Sequence, residues 1–225
     1  MNYVNRYYDK DRTLKGIQEG RHRQLVGGLW DQIGGLQLDA LKSLGLQPSH
    51  TVLDIGCGSL RLGARLVDFL EPSNYFGTDL SSELMDAGYA VELSDEARRK
   101  LPRQQLIQHD ISNPIPFRRS FDYIVAFSLF THLPISVFES ALSSIAKVME
   151  ERSVFLSSFF ISGDDFPPQM NQLDGVVSYA DRDPFHYPHS NFRRLSARIN
   201  LRVQEIEGLF HSRGQRLFAF FQNNP

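Results

Sequence analysis

Residues 52–63, with the sequence VLDIGCGSLRLG, place two closely spaced glycines directly after a short apolar segment. Residues 51–55 are mostly apolar and partly β-branched, which predicts a buried strand. Gly56 and Gly58 allow the backbone to turn sharply and to approach a ligand closely. Because open α/β sheets bind ligands beyond the carboxyl ends of their strands, this turn is the expected place for a nucleotide-like cofactor.

The residues around the two glycines narrow the choice of cofactor. A dinucleotide turn of the type G-x-G-x-x-G would need glycine where this chain has Arg61, and no Gly-Lys-Ser/Thr follows to make a phosphate loop. Asp54 instead supplies a carboxylate just before the turn, which suits a cationic ligand without phosphate. S-adenosylmethionine (SAM), with its ammonium and sulfonium groups and no pyrophosphate, fits these conditions.

Acidic residues follow two further predicted strands. Asp79 comes after the strand at 75–78, about 20 residues beyond the glycine turn, where an acid accepts hydrogen bonds from ribose hydroxyls. Asp110 follows the strand at 105–109 and can accept from an exocyclic amine of adenine. A fourth strand, residues 121–127, ends at Phe127 and Ser128.

The order of predicted elements gives the fold class. Helical segments at 33–44, 61–70, 81–90, 134–149 and 191–199 alternate with the strands already named and with a strand at 154–160. This alternation predicts a Rossmann-like α/β fold, a doubly wound, mostly parallel seven-stranded sheet. Strands at 201–206 and 216–221 are separated by a short loop, which favours an antiparallel hairpin at the C-terminal end. We expect an N-terminal helical cap at 1–33, a SAM-binding domain at 34–225, and within it a long irregular substrate lid at about 162–190.

Five motifs in this order, VLDIGCGSLRLG, YFGTDLS, IQHDI, FDYIVAFSLFTHLP and VFLSSFF, resemble the class I SAM-dependent methyltransferases. The resemblance covers about residues 34–160 and resumes in the C-terminal hairpin. It implies that Asp54, Gly56 and Gly58 hold the methionine moiety of SAM. It also implies that Asp79 binds the ribose and that Asp110 and Ile111 bind the adenine edge. The cofactor-binding candidates are Asp54, Gly56, Gly58, Arg61, Asp79, Leu80, Asp110, Ile111, Phe127 and Ser128.

One position departs from the family pattern. The third glycine often found in this motif is Leu60 here, so close backbone approach at the start of the next helix is in doubt. Arg61 has two interpretations: it reaches the carboxylate of the cofactor, or it pairs with an acid of the N-terminal segment such as Asp31.

Candidates for catalysis lie after the fourth strand and in the 162–190 insertion. Methyl transfer by an SN2 path needs in-line alignment first, and a base only where the nucleophile is protonated. The candidates are His132, Tyr179 and His186, each with packing as the alternative role. In the N-terminal segment, Tyr7, Tyr8 and Trp30 either face the sulfonium or pack within the cap.

Composition limits the class of partner. The net charge is −2 and the basic residues are scattered, which argues against nucleic acid as the substrate. The Asn113–Pro116 turn follows the third strand, whereas the Asn-Pro-Pro-Tyr motif of nucleobase methyltransferases follows the fourth. His186 and His189 would need a third ligand to bind a metal, which Asp181 or Asp183 could supply, but the two prolines of this segment argue against a regular ligand-bearing element, so no metal site is expected. The single cysteine, Cys57, argues against disulfides, and no apolar run predicts a membrane span or signal peptide.

The sequence therefore predicts a cytoplasmic SAM-dependent methyltransferase of specialised metabolism, monomer or homodimer, that acts on a small molecule by in-line transfer. Two alternatives stay open. The enzyme would instead cyclise SAM internally and release methylthioadenosine, or the chain would be a SAM-binding module without catalysis.

Overall fold

The computed structural model describes residues 6–207 and 211–223, and the chain divides into two compact units, Met1–Asp110 and Ile111–Pro225. The first unit contains six α-helices and three strands among its described residues. The helices are α1 (Lys10–Gln18), α2 (His22–Leu25), α3 (Trp30–Ser43), α4 (Gly63–Phe69), α5 (Ser82–Val91) and α6 (Asp95–Lys100). The strands are β1 (Val52–Ile55), β2 (Tyr75–Asp79) and β3 (Leu106–Gln108).

The three strands of the first unit lie in the order β3-β2-β1, and both pairings are parallel. Every residue of β1 is buried, as expected for a strand covered on both faces. Because the strands are parallel, the turn after β1 and the residues after β2 and β3 come to the same edge. This edge carries the glycine turn and the two acids predicted to bind the cofactor.

Where the structure describes it, the second unit continues the alternation with further strands and two α-helices. Its elements are β4 (Phe121–Ala126), α7 (Ile135–Ile145), β5 (Met149–Ser162), β6 (Gln169–Asn171), β7 (Val177–Tyr179), β8 (His186–Pro188), α8 (His189–Ile199), β9 (Leu201–Ile206) and β10 (Arg216–Gln222). β4 and β5 are parallel, and β10 lies between β5 and β9, antiparallel to both. The mostly parallel sheet with a C-terminal antiparallel pair confirms the predicted Rossmann-like fold class.

The core of the second unit is aromatic. Phe192 of α8 stacks on Phe218 of β10 with ring centroids 4.3 Å apart, and Phe138 of α7 meets Phe159 of β5 edge to face at 4.9 Å. All four rings are at most 1% exposed. Such pairs stabilise a core beyond their area burial, so helices α7 and α8 are fixed against the sheet by ring packing.

Two features of the fold differ from the prediction. Helix α6 was not predicted, although it has a side-chain N-cap, in which Ser94 accepts from Ala97 N. The 162–190 insertion is not irregular throughout. It contains the antiparallel pair β6–β7, turning at Asp174-Gly175 with φ of 55° and 69°, and the strand β8, which pairs with β5. Two positive φ values at Asp-Gly are typical of a tight hairpin turn, and this signal was visible in the sequence.

Candidate cofactor and catalytic site

The glycine turn after β1 is anchored on β2 through the backbone. Gly56 N and Cys57 N both donate to Thr78 O, at 2.7 Å and 3.0 Å. Gly56 has φ of 75° and Gly58 has φ of 55°, a left-handed conformation that favours glycine. The two glycines are therefore required by the path of the backbone.

Asp79 connects this turn to the start of α5. Its Oδ2 accepts from Gly58 N at 2.8 Å and its Oδ1 accepts from Ser81 N at 2.9 Å. Burial raises the pKa of Asp79, whereas the backbone N–H groups of Ser81 and Gly58 act to lower it. The carboxylate predicted to bind ribose is thus held in a fixed orientation by bonds to the loop on one side and to a helix N-cap on the other. The next residue, Leu80, is half-buried, and its carbonyl accepts from Gln108 Nε2 at 2.9 Å.

Asp54 lies in a buried polar cluster that the sequence did not indicate. The Tyr75 hydroxyl donates to Asp54 Oδ2 at 2.9 Å, and Asp54 is only 4% exposed. Burial is the largest cause that raises the pKa of Asp54 to about 7; the nearby Asp79 charge raises it further, while Tyr75 and Arg61 lower it. Burial also raises the pKa of the Cys57 thiol well above its ordinary value, which argues against a thiolate at this position.

Leu60 stands where the family often has a third glycine, and its backbone adopts a conformation that is unfavourable for leucine. Its φ is 64°, in the left-handed region, and its side chain is fully buried. The predicted helix start at residue 61 was too early, because α4 begins only at Gly63, after this turn. On the other side of the loop, the backbone of Ser59 packs directly against Gly88 of α5, where a Cβ would overlap it.

Arg61 binds the N-terminal segment in a way that neither interpretation described. Its Nη1 donates to Val26 O at 3.2 Å and to Gly28 O at 3.1 Å. The suggested partner Asp31 accepts from Arg65 Nη2 at 2.8 Å. Arg61 therefore connects the glycine turn to the backbone that precedes α3.

The N-terminal aromatics fall into two groups. Tyr8 donates to Asp110 Oδ2 at 2.8 Å, and burial together with this acid raises the pKa of Tyr8 to about 12. The acid predicted to bind adenine is thus contacted by the N-terminal segment. Trp30 instead packs under the guanidinium of Arg23, 4.8 Å from its ring centroid, and against the edge of His22.

In the second unit, the end of β4 is strained and hydrogen-bonded. Ser128 has φ of 57°, its N donates to Ser158 Oγ at 2.8 Å, and its Oγ donates to Gln215 Oε1 at 2.9 Å. Thr131 Oγ1 donates to Ser128 O at 2.9 Å. Three hydrogen bonds thus hold Ser128 in this unfavourable conformation, and strained residues of this kind are common at functional sites. The two other predicted cofactor residues of this unit, Ile111 and Phe127, are buried.

His132 pairs with an acid of the insertion. It ends a 3₁₀ helix, Phe130–His132, and its Nδ1 lies 2.5 Å from Asp183 Oδ1. The side chains are 17% and 21% exposed, respectively. Sequence reasoning named His132 and treated Asp183 only as a possible metal ligand, because 51 residues separate the two and no spacing rule connects them.

The two other catalytic candidates are placed differently. His186 is 1% exposed, and its ring nitrogens contact Ser178 Oγ at 2.9 Å and Pro167 O at 2.8 Å. This arrangement gives His186 a packing role inside the insertion. Tyr179 is half-buried, with the Arg182 guanidinium 3.7 Å from its ring centroid.

Comparison with known proteins agrees with this geometry. Residues 53–155 match the family model described as a methyltransferase domain. Residues 53–155 therefore carry a methyltransferase domain. The matched range of this methyltransferase domain runs from β1, through the glycine turn and Asp79, to β5.

Individual relatives are distant. A yeast (Saccharomyces cerevisiae) 18S rRNA (guanine(1575)-N(7))-methyltransferase is 26% identical over 155 residues, covering 64% of this chain and 50% of the relative. The chain thus spans about half the length of that curated relative. The glycopeptide N-methyltransferase MtfA has a TM-score of 0.62 at 18% identity, covering 85% of this chain and 90% of its own. Magnesium protoporphyrin IX methyltransferase from Synechocystis PCC 6803 has a TM-score of 0.63 at 14% identity, covering 95% and 99%. At these identities, the two structures show the fold.

Among the described residues, no helix is both long and apolar enough to cross a bilayer.

Proposed function

We propose that the chain is a SAM-dependent methyltransferase that transfers a methyl group in line to a small-molecule acceptor. The observation that carries the proposal is the Asp79 carboxylate, which bridges Gly58 N and Ser81 N at the carboxyl end of β2. An acid fixed at this place presents its remaining lone pairs to the ribose of a cofactor. Asp54, Gly56 and Gly58 would surround the methionine moiety.

The remaining assignments depend on the resemblance to the family. The carboxylate of Asp110, which already accepts a hydrogen bond from the Tyr8 hydroxyl, would also accept one from the adenine amine. Leu80, Ile111, Phe127 and Ser128 are candidates for the adenine and amino groups. Arg61 is the least supported cofactor contact, since its guanidinium is bonded to Val26 and Gly28. Related structures were solved with SAM, S-adenosylhomocysteine and sinefungin, which supports this choice of cofactor.

A small-molecule acceptor agrees better with the charge of the chain than RNA does. The net charge is −2, whereas affinity for nucleic acid depends mainly on basic side chains that contact phosphates. The structural neighbours named above act, by their names, on a glycopeptide and on a porphyrin. The rRNA relative is the reason to test RNA directly. We place the enzyme in the cytoplasm as a monomer or homodimer, with residues 1–33 as a cap and residues 162–190 as a substrate lid, and in specialised metabolism.

Calorimetry of SAM binding tests the cofactor assignment. Asp79→Ala removes the acceptor for ribose and for two backbone N–H groups, so we expect SAM affinity to fall by about 100-fold. Asp86→Ala is the matched control, because Asp86 is an exposed acid on α5 that pairs with Arg103. Equal SAM affinity in wild type and Asp79→Ala would contradict the assignment.

The product identifies the reaction. Incubation with SAM and candidate acceptors should release S-adenosylhomocysteine, the product of methyl transfer. Methylthioadenosine from SAM alone would instead support internal cyclisation, and binding without either product would support a non-catalytic module. Methyl label incorporated into RNA rather than small acceptors would overturn the choice of substrate.

A further inference from the structure

We propose that His132 and Asp183 form a proton-accepting pair, in which His132 takes the proton and Asp183 is its positioning residue, and that the methyl acceptor is therefore a hydroxyl group. The inference rests on the proposed function. It adds the class of acceptor and a residue, Asp183, that the sequence did not connect with catalysis.

The contact between the two side chains is short and mostly shielded from solvent. His132 Nδ1 lies 2.5 Å from Asp183 Oδ1, with 17% of the imidazole and 21% of the carboxylate exposed. An ionised carboxylate can only accept hydrogen bonds, so Nδ1 is the donor. In its neutral form, a histidine that donates from Nδ1 has its acceptor lone pair on Nε2. Asp183 thus selects the tautomer that a base needs, as the aspartate of a Ser-His-Asp triad does.

The backbone on both sides of the pair is held in place. Phe185 N, two residues after Asp183, donates to Thr131 O at 2.7 Å. The Tyr187 hydroxyl, on a side chain only 2% exposed, donates to Phe130 O at 2.7 Å and to Leu133 O at 2.5 Å. These bonds fasten the insertion to the residues on either side of His132. A base held by packing and by bonds to its supporting residues keeps the geometry that proton transfer requires.

The chemistry selects among acceptors. In the proposed step the acceptor oxygen forms a bond to the methyl carbon, the carbon–sulfur bond breaks with its electron pair passing to sulfur, and the hydroxyl proton moves to His132 Nε2. The products are a methyl ether, S-adenosylhomocysteine and an imidazolium, which then returns its proton to water. A carboxylate acceptor is ionised at neutral pH and an aromatic amine is neutral there, so each attacks with a lone pair that it already has. An aliphatic amine is mostly protonated in water, but it can release its proton to water before it binds. A hydroxyl still carries its proton when it attacks and would otherwise form a protonated ether, so it gains most from the pair.

Nitrogen NMR of the full chain with labelled histidine tests the pair without knowledge of the natural substrate. His132→Gln assigns the His132 signals among those of the seven histidines. We expect neutral His132 in wild type to be protonated on Nδ1, and Asp183→Asn to lose this preference. Asp181→Asn is the matched control, since Asp181 is an exposed acid of the same segment that pairs with Arg182. Circular dichroism of each variant checks folding. Protonation of His132 on Nε2 in wild type, or an unchanged tautomer in Asp183→Asn, overturns the pair.

Transfer from methyl-tritiated SAM to matched phenols, anilines and benzoic acids tests the acceptor class. We expect label in the phenols, with kcat lowered about 100-fold by His132→Gln and about tenfold by Asp183→Asn, KM little changed, and Asp181→Asn equal to wild type. Label in the benzoic acids or anilines that is insensitive to His132→Gln overturns the hydroxyl assignment. SAM calorimetry on the same samples separates the two proposals. Failure of wild type to bind SAM refutes the proposed function, whereas normal binding with the wrong tautomer refutes only the pair.

Discussion

The glycine turn at residues 52–63 and the insertion at residues 162–190 are both candidate functional segments, but they are fixed in different ways. The turn is held by its own backbone, through Gly56 N, Cys57 N and Gly58 N. The insertion pairs through the backbone of β8 with β5, and it is held in addition by side chains, through the Tyr187 hydroxyl and the Asp183 carboxylate. A backbone-held turn needs particular residue types at fixed positions, whereas the side-chain bonds of the insertion depend on partners more than 50 residues away.

The largest effect should come from blocking the backbone contact of the turn. In Gly88→Ala the added Cβ would overlap the backbone of Ser59, which cannot move without disturbing the turn. We expect about 3 kcal/mol loss in the free energy of unfolding, measured by urea denaturation, and weak SAM binding. Gly35→Ala in α3 is the matched control, because its Cβ meets nothing within 4 Å and alanine favours a helix. A Gly88→Ala protein as stable as wild type would show that the turn can shift freely.

A smaller effect should follow from loosening the insertion. Tyr187→Phe removes one hydroxyl and leaves the carbonyls of Phe130 and Leu133 without that donor. We expect about 2 kcal/mol lower stability, with faster amide hydrogen exchange in residues 162–190 and SAM affinity unchanged. Tyr179→Phe, in which the hydroxyl is removed from a half-buried ring of the same segment, is the control. If exchange rises evenly over the whole chain, the insertion is not a separate unit of stability.

The smallest effect should come from the buried acid at the start of the turn, and it should depend on pH. The pKa of Asp54 is raised to about 7 in the folded protein, against about 4 in an unfolded chain. Between these values the folded state holds a proton that the unfolded state has released, so this group's contribution to stability falls as pH rises from about 4 to 7.

Asp54→Asn removes the group that ionises, and with it this loss of stability at higher pH, while its amide oxygen can still accept from Tyr75. We therefore expect the stability of the variant relative to wild type to rise by about 1.5 kcal/mol of unfolding free energy between pH 6 and pH 8. Urea denaturation at the two pH values measures the gap, with Asp39→Asn, an exposed acid on α3, as the comparison. A gap that narrows with rising pH would reverse the sign assigned to Asp54.

The parts of the molecule that sequence could predict are those encoded by local residue patterns. Alternating apolar segments and turn residues identified β1 to β5, β9 and β10, and the strand ends located Asp79 and the glycine turn. Tyr75 was missed as a partner of Asp54 because it is the first residue of β2, whereas the predicted site residue Asp79 is the last. Asp183 was missed as a partner of His132 because only the folded insertion brings them together. The strand β8 was missed because His186-Tyr187-Pro188 is too short to show alternation.

Leu60 has a consequence for anyone who would move this turn into another protein. Its backbone takes a conformation that glycine adopts at no cost, and a fully buried side chain accompanies it, within reach of Gly63. Left-handed backbone in a bulky residue persists only where its surroundings enforce it. Residues 52–63 therefore cannot be expected to keep this conformation when they are transferred alone to another protein. Grafted without the cavity that receives Leu60, they would relax into another shape, whereas a graft with glycine at this position would be free to keep it.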